Sequence, residues 1–312
     1  MMTTITFKPK FIEHFSKLTD FEAFKKASLT YPRKAIRVNT LKISVENLKK
    51  RLEHSWILTP IPWCDEGFWI EHKQGRRDVG NLVEHMLGYI YVQEAASMIP
   101  PAVLDVSPGD IVLDMCASPG SKASQIAAKL KGEGFLVAND YKGIRLAPLG
   151  LNLQRVGATN YLITLQEGRF FKDKVFDKIL VDAPCSGTGT IRKSLKTLTI
   201  WNPRTIRRLA GTQKQLIATA FECLKPGGTM TYSTCSVEPE ENEMVVNSLL
   251  ERYEDAEIEA FELPIKRSPA FLEYEGMTFD ASIRHTLRIW PQDNDTEGFF
   301  VAKIRKKRKT LP

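Results

Sequence analysis

The sequence of 312 residues contains no pair of cysteines separated by two residues, and its five cysteines are widely spaced: Cys64, Cys116, Cys185, Cys223 and Cys235. Neither a disulfide framework nor a cysteine-based zinc site is therefore supported. No apolar run approaches the roughly 18 residues of a membrane-spanning helix, and no signal peptide opens the sequence. We expect a soluble, cytoplasmic protein without a bound metal, whose reduced thiols either fill the core or act as catalysts.

Two phosphate-binding patterns are also missing from the stretch Ile111–Lys122, namely the Walker A motif and G-x-G-x-x-G. A nucleoside triphosphate or a dinucleotide is therefore a disfavoured ligand. The stretch itself predicts a buried strand, a small-residue loop broken at Pro119 and Gly120, and a helix with apolar residues on one face. Backbone N–H groups at such a helix start can cradle a polar ligand.

An acid at the end of the following strand narrows the kind of ligand. Asp140 closes a second apolar strand, 26 residues after Asp114 in the printed sequence. An acid about 20 residues beyond the loop suits a ribose diol, which indicates a nucleoside-type cofactor such as S-adenosylmethionine. A second interpretation is equally open, in which Asp140 is only the N-cap of the next helix.

Composition predicts a sizeable core, since 43% of the residues are apolar, and one large domain with a smaller one. The formal net charge is +7, and residues 1–90 carry five of these charges because they hold 15 Lys and Arg against ten Asp and Glu. A basic excess of this kind fits a polyanionic partner.

Two domains are predicted. Residues 1–85 form a small α+β module, rich in basic and aromatic residues, of the kind that binds nucleic acid; a purely structural cap is the alternative. Residues 86–312 alternate strands and helices, starting with a strand at Tyr89–Val92, which predicts an α/β fold with a doubly wound, mainly parallel sheet. The acidic run Glu238–Glu243 is interpreted as a first helical turn favoured by the helix dipole, with no catalytic role.

Two further cysteines follow apolar strands and should open onto the same crevice as the loop. Cys185 lies in Asp182-Ala-Pro-Cys-Ser-Gly-Thr-Gly189, and Cys235 lies in Tyr232-Ser-Thr-Cys-Ser236. Two thiols and an acid beside a methyl donor suit methylation of carbon 5 of a pyrimidine. A thiolate adds to carbon 6, a base later removes the proton from carbon 5, and an acid at N3 stabilises the charge that develops.

These motifs, together with Asp114-Met-Cys-Ala-Ser-Pro-Gly-Ser-Lys122, resemble the RNA cytosine-5 methyltransferases of the NOL/NOP/Sun (Fmu) family. The resemblance extends over nearly the whole chain. Arg37-Val-Asn-Thr-Leu-Lys42 is similar to the family's N-terminal module, and Arg288-Ile-Trp-Pro with Gly298-Phe-Phe-Val-Ala302 is similar to its closing motif.

The resemblance implies a Rossmann-like fold that uses S-adenosylmethionine and RNA, in a protein expected to be a monomer. It makes Cys235 the nucleophile and Cys185 the thiol that assists product release, with Asp182 and Lys122 in the catalytic pocket. DNA cytosine methyltransferases would instead attack with the cysteine at position 185. The implied cofactor contacts are Cys116, Ala117, Ser118, Pro119, Gly120, Ser121, Lys122, Asp140, Arg145, Glu167 and Asp182.

Two positions depart from the family's usual pattern. Ser121 replaces a glycine, as in the tRNA-methylating branch, and Glu167 stands where an Asp is usual for the adenine contact. We therefore expect an archaeal-type tRNA methyltransferase, with rRNA as an alternative substrate of the same chemistry. An RNA-binding or assembly protein without catalysis is the third interpretation, but such a scaffold would need neither cysteine.

Overall fold

The computed structural model describes residues 7–172 and 175–308. The amino-terminal part forms a four-stranded antiparallel sheet in the order β2-β3-β1-β4. Its helices and strands, in chain order, are α1 Pro9–Ser16, α2 Phe21–Ser28, β1 Ala35–Val38, α3 Val45–Leu52, β2 Trp56–Ile61, β3 Cys64–His72, α4 Val83–Met86 and β4 Ile90–Val92.

The two faces of this sheet have different neighbours. On one face, Ile36 and Phe68 pack against Leu48 of α3, whose N-cap is Ser44. On the other face, Ala35 packs with Met98 of the following domain. Strand β4 pairs with β1, so the prediction that it begins the catalytic sheet is wrong; a strand of three residues carries no local signal for its sheet. The division at residues 85 and 86 stays a prediction.

The larger sheet has the order β10-β14-β9-β8-β5-β6-β7, with β13 paired to β14. The described elements are α5 Ile99–Val103, β5 Ile111–Asp114, α6 Ser121–Leu130, β6 Phe135–Asp140, α7 Gly143–Val156, β7 Tyr161–Leu165, β8 Phe176–Asp182, α8 Lys196–Ile200, α9 Pro203–Cys223, β9 Leu224–Thr234, α10 Glu243–Arg252, β10 Ala256–Ile258, β11 Glu273–Tyr274, β12 Met277–Thr278, β13 Leu287–Ile289, α11 Pro291–Asn294 and β14 Phe299–Lys306.

Strands β5 to β9 are parallel, and β14 runs antiparallel to β9 and β10. Apolar clusters cover both faces, as buried parallel strands require: one centres on Leu113 and Phe221, the other on Val112 and Leu153. The predicted α/β, Rossmann-like, mainly parallel fold is confirmed. Within the described residues, no helix combines the length and apolarity needed to span a bilayer.

Helices α1 and α2 pack on the larger domain instead of on the amino-terminal sheet. Their phenylalanine stripe, including Phe11, Phe15 and Phe24, forms one cluster with Trp201 and Trp290. Phe11 meets the Trp201 ring edge-on at 5.2 Å between ring centroids, and Phe24 meets Trp290 in the same way at 5.9 Å. The stripe therefore forms the apolar core of the seam between the two parts of the chain.

Arg37 provides a second link across this seam. Its side chain is 1% exposed, and its guanidinium donates to the Ser121 carbonyl, the Ser124 hydroxyl and Gln93, the first two at 2.9 Å. Burial lowers its pKa to about 10. Because both Ser residues lie in the first turn of α6, the amino-terminal sheet fixes the start of that helix.

His14 of α1 makes a titratable contact at the same seam. Its Nε2 lies 2.6 Å from the buried carboxylate of Glu238, whose other oxygen accepts from Trp201 Nε1 at 3.0 Å. Burial lowers the pKa of His14, but the hydrogen bond and the charge of Glu238 outweigh burial and raise it above 6.5. Protonated His14 therefore stabilises the docking of α1.

We expect His14→Gln to lose stability in acid but not in alkaline solution. Because the folded-state pKa is raised, the contribution of His14 is fully present below pH 6.5 and disappears as the pH rises through the folded-state value. Urea unfolding across this range should show a deficit of about 1–2 kcal/mol that shrinks with pH. The matched control is exposed His54→Gln; an equal, pH-independent deficit in both variants would contradict this role.

Candidate active site

The two predicted cysteines meet at the carboxyl ends of adjacent strands. Asp182 ends β8 and Thr234 ends β9, so Cys185 and Cys235 follow these strands in short loops. Their sulfur atoms are 3.2 Å apart. Two effects raise the pKa of Cys185 well above its ordinary value: the hydrogen bond with Cys235 is the larger, and burial is the next. Cys185 therefore stays a thiol that can donate to the sulfur of its partner.

An ion pair lies beside the cysteines. Lys122 Nζ donates to Asp182 Oδ2 at 2.6 Å, and Ser233 Oγ donates to Asp182 Oδ1 at 2.8 Å. Burial lowers the pKa of Lys122, but Asp182, through its charge and its hydrogen bond, and the charge of Cys235 together raise it. The structure thus brings all four predicted catalytic residues together around one ammonium group.

Glu241 connects the loops that carry the cysteines. Its buried carboxylate accepts from the backbone N–H of Ser186 at 2.9 Å, from the hydroxyls of Ser186 and Ser236 at 2.5 Å each, and from Gln213 at 3.0 Å. Burial raises its pKa, against the opposing effect of these donors. Because Ser186 follows Cys185 and Ser236 follows Cys235, one side chain fixes both cysteines.

The interpretation of the run Glu238–Glu243 as the first turn of a helix is confirmed for Glu243, which begins α10, and is wrong for the three glutamates before it. Pro239–Glu241 is a short 3₁₀ turn, and α10 begins at Glu243. The four glutamates are buried, and each accepts from a side chain or a turn that is distant in sequence. Their proximity to the Cys235 motif was the signal in the sequence that could have pointed to the site.

Gly189, the last residue of the Cys185 motif, is required by close backbone contacts. Its N–H donates to the Cys235 carbonyl at 3.0 Å, and its carbonyl accepts from Gly298 at 2.9 Å. A Cβ at position 189 would lie 2.2 Å from the Gly298 carbonyl oxygen. Three loops therefore meet here at a distance that only glycine permits.

The predicted cofactor loop surrounds a small cavity. Gly120 has φ +106°, which lets the loop turn into α6. Ser118 donates to the Arg145 carbonyl at 2.8 Å, and Arg145 returns a hydrogen bond to the Ser118 carbonyl at 2.6 Å. The cavity, of about 30 Å³, is lined by Asp114, Cys116, Ala117, Ser118, Pro119, Ser121, Lys122 and Asp182.

Asp114 is a residue of this cavity that was not among the predicted contacts. It is 1% exposed, and neither carboxylate oxygen has a hydrogen-bond donor in good geometry among the described residues. Burial and the charge of Asp182 raise its pKa to about 8, against weaker effects of Lys122 and the Cys116 N–H. An acid closing an apolar strand just before the loop was the signal for it.

The remaining predicted contacts lie at the neighbouring strand ends. Asp140 ends β6; its Oδ1 accepts from the Lys142 N–H at 3.1 Å, and its buried Oδ2 has no hydrogen bond but lies 3.4 Å from Arg145 Nη1. Glu167 follows β7 and pairs with Arg169. Burial raises the pKa of Cys116 above its ordinary value, which suits a small loop residue better than a nucleophile. The cofactor roles of these residues stay predictions.

The fold and this arrangement define a class of protein: a Rossmann-like methyltransferase with two cysteines on the substrate side of the sheet. A family model described as 16S rRNA methyltransferase RsmB/F matches residues 101–305, and one for the N-terminal domain of 16S rRNA methyltransferase RsmF matches residues 7–95. The chain belongs to this family, and the resemblance to RNA cytosine-5 methyltransferases is confirmed.

Two relatives and one solved structure are also similar to this chain, and all three are named as methyltransferases or as a methyltransferase homologue. The tRNA (cytosine(49)-C(5))-methyltransferase of Pyrococcus abyssi is 45% identical, with 96% of each chain covered. Ribosomal RNA small subunit methyltransferase F of Vibrio parahaemolyticus is 46% identical over 281 residues. The matched region covers 88% of this chain and 57% of that relative. A methyltransferase homologue from Pyrococcus horikoshii has a TM-score of 0.83 and 34% identity, with 96% of this chain and 99% of the other covered.

We expect Glu241→Ala to destabilise the protein by about 3 kcal/mol or more, because it leaves several buried donors without an acceptor. Glu241→Gln should be tolerated within about 1 kcal/mol, since its oxygen can accept from the two N–H groups while its amide donates to the hydroxyls. Urea unfolding measures both variants. Equal losses for the Ala and Gln variants would contradict the hydrogen-bonding role.

Proposed function

We propose that this protein is an S-adenosylmethionine-dependent methyltransferase that forms 5-methylcytosine in RNA, with tRNA as the favoured substrate. The observation that carries the proposal is the 3.2 Å contact between the sulfurs of Cys185 and Cys235 beside the Lys122–Asp182 pair. A scaffold would gain nothing from two thiols and an ion pair in one crevice. A relative that is similar over its whole length is named for tRNA.

The residues of the loop fit the proposed cofactor. S-adenosylmethionine, when bound, supplies an electrophilic methyl group and carries an ammonium and a ribose diol. The unpaired carboxylate of Asp114 would accept from the ammonium, and Asp140 Oδ2, which is buried without a donor, would accept from the diol. Arg145 holds both Ser118 and Asp140 in place, and Glu167 stays the proposed adenine contact.

The catalytic roles follow from the placement of the four side chains. Cys235 would form a bond to carbon 6 of a cytosine taken out of its stack, which makes carbon 5 nucleophilic. The Asp182–Lys122 pair would stabilise the charge that develops at N3. The Cys185 thiol, 3.2 Å from the leaving sulfur, would give its proton to that sulfur as the bond to carbon 6 breaks, and the resulting Cys185 thiolate would take the proton that carbon 5 loses.

The same chemistry on rRNA is the second candidate, because both matching family models are described for 16S rRNA methyltransferases. The site itself reads a single cytosine and does not distinguish the two RNAs. The choice between them therefore depends on surfaces outside the crevice.

We expect Cys185→Ala, mixed with RNA and S-adenosylmethionine, to accumulate a denaturant-resistant protein–RNA adduct, because the Cys235–carbon 6 bond forms but is not released. The adduct should be absent in Cys185→Ala/Cys235→Ala, and Cys223→Ala, which removes a buried thiol outside the site, should behave as wild type. Denaturing gels measure the adduct, and sequencing the trapped RNA identifies tRNA or rRNA. Trapping by Cys235→Ala instead would reverse the two roles.

We expect Asp114→Asn to weaken cofactor binding while stabilising the cofactor-free protein. Loss of the charged acceptor should reduce affinity about 10- to 100-fold by calorimetry. Since the folded pKa is about 8 against an ordinary value of 3.8, wild type loses stability as the pH rises between these values. The variant does not titrate, so its advantage in urea unfolding should grow to at least about 1 kcal/mol near pH 8. Unchanged affinity would overturn the assignment.

A further inference from the structure

The segment between α2 and β1, Tyr31–Lys34, has no role in the site described above, yet it lines two cavities. One, of about 370 Å³, lies on the outer side between Tyr31 and Trp69. The other, of about 150 Å³, reaches Lys193 and Glu297 of the larger domain. Small-ligand sites have volumes of about 300–1,000 Å³, so the outer cavity can hold one nucleotide. We call the outer cavity with its lining residues the Tyr31 groove.

The Tyr31 groove combines an exposed aromatic ring with cations. Tyr31 is 61% exposed. Lys34 Nζ lies 5.3 Å and Arg77 Cζ 5.7 Å from the centre of its ring, and Arg33 Cζ lies 4.3 Å above the ring of Trp69. Within residues 7–172 and 175–308, none of Arg33, Lys34 and Arg77 has an acidic partner within ion-pair distance. These three charges are available to a ligand.

The backbone of the groove is hydrogen-bonded to the larger domain. Buried Arg192 donates to the Thr30 carbonyl at 3.1 Å and to the Tyr31 carbonyl at 3.5 Å. The same guanidinium donates to Thr296 and pairs with Asp295. The backbone at Tyr31 is therefore anchored to the larger domain before any ligand arrives, which reduces the backbone entropy lost on binding.

The inner cavity lies between the segment Tyr31–Lys34 and the larger domain. Its wall includes Glu297, two residues before Phe299, whose ring lies 5.5 Å from Lys122 Nζ. Gln93, also in that wall, bonds Arg37, which holds the first turn of α6. A chain bound along Tyr31–Lys34 would thus lead to the catalytic pair.

We propose that the Tyr31 groove binds an unpaired segment of the substrate RNA next to the target cytosine, with one base stacked on Tyr31 and phosphates on Arg33, Lys34 and Arg77. This inference rests on the proposed RNA methylation. An exposed ring between cations suits single-stranded RNA, because the bases of a duplex are already stacked and cannot reach a side chain.

The test uses the full chain with unmodified tRNA transcripts. If the RNA trapped by the Cys185→Ala variant is rRNA, rRNA transcripts replace them. Tyr31→Ala should raise KM for RNA about 5- to 100-fold, the loss expected for one stacked base, with kcat and cofactor affinity unchanged. Tyr31→Trp should restore KM, because it retains a stacking surface. Arg77→Ala should reduce the slope of log K against log salt by about 0.7, the value for one phosphate of a single strand.

There are two matched controls. Phe135→Ala removes an exposed aromatic ring at the amino end of β6, away from the strand ends that carry the cysteines, and Lys49→Ala removes an exposed cation of α3. Both should leave KM unchanged. Fluorescence anisotropy with a short labelled single-stranded RNA, and with a duplex of the same sequence, should show that Tyr31→Ala weakens only the single strand.

An unchanged KM in Tyr31→Ala, an equal loss for the duplex, or a fall in kcat and cofactor affinity would each overturn the groove assignment. Absence of methylation and of the adduct in wild type would instead overturn the proposed function, so the two failures are distinguishable.

Discussion

The site depends on one buried carboxylate that accepts hydrogen bonds from two loops at once. Glu241 lies in the connection that follows Cys235, and it accepts hydrogen bonds from the residue after each cysteine. A buried carboxylate without donors is costly to ionise, so the donors that Glu241 requires also determine where the loops go. The separation of the two sulfurs therefore depends on hydrogen bonds that Glu241 accepts from Ser186, 55 residues earlier, and from Ser236, five residues earlier.

At the seam between the amino-terminal sheet and the larger domain the buried charge is positive, and hydrogen-bond acceptors surround it. Arg37 has no acidic partner among the described residues; its two terminal nitrogens donate to carbonyl, hydroxyl and amide oxygens, two of them in the first turn of α6, while its buried Nε makes no hydrogen bond within the described residues. The first turn of α6, which follows the loop Cys116–Gly120, is thus held in place by a residue of the amino-terminal sheet. The two parts of the chain form one site because neither has its polar groups satisfied alone.

Much of this arrangement could be predicted from the sequence. Apolar strands ending in Asp182 and in the Cys235 motif place their loops at one edge of a parallel sheet, because parallel topology leaves no other solution. The partners of Glu241 could not be predicted, since an acidic run before a helix looks the same locally whether it faces water or Ser186. The phenylalanine stripe of α1 likewise predicts burial but does not name Trp201 as its neighbour.

Strand β14 has a consequence for how the enzyme is made. It lies between β9 and β10, with Phe300 opposite Thr234, the residue before Cys235. During synthesis, the edge of β9 stays open until Phe299–Lys306 has left the ribosome, after every residue of the crevice has been translated. The strand that leads to Cys235 is therefore paired on this edge only after the other strands of the described sheet have been synthesised.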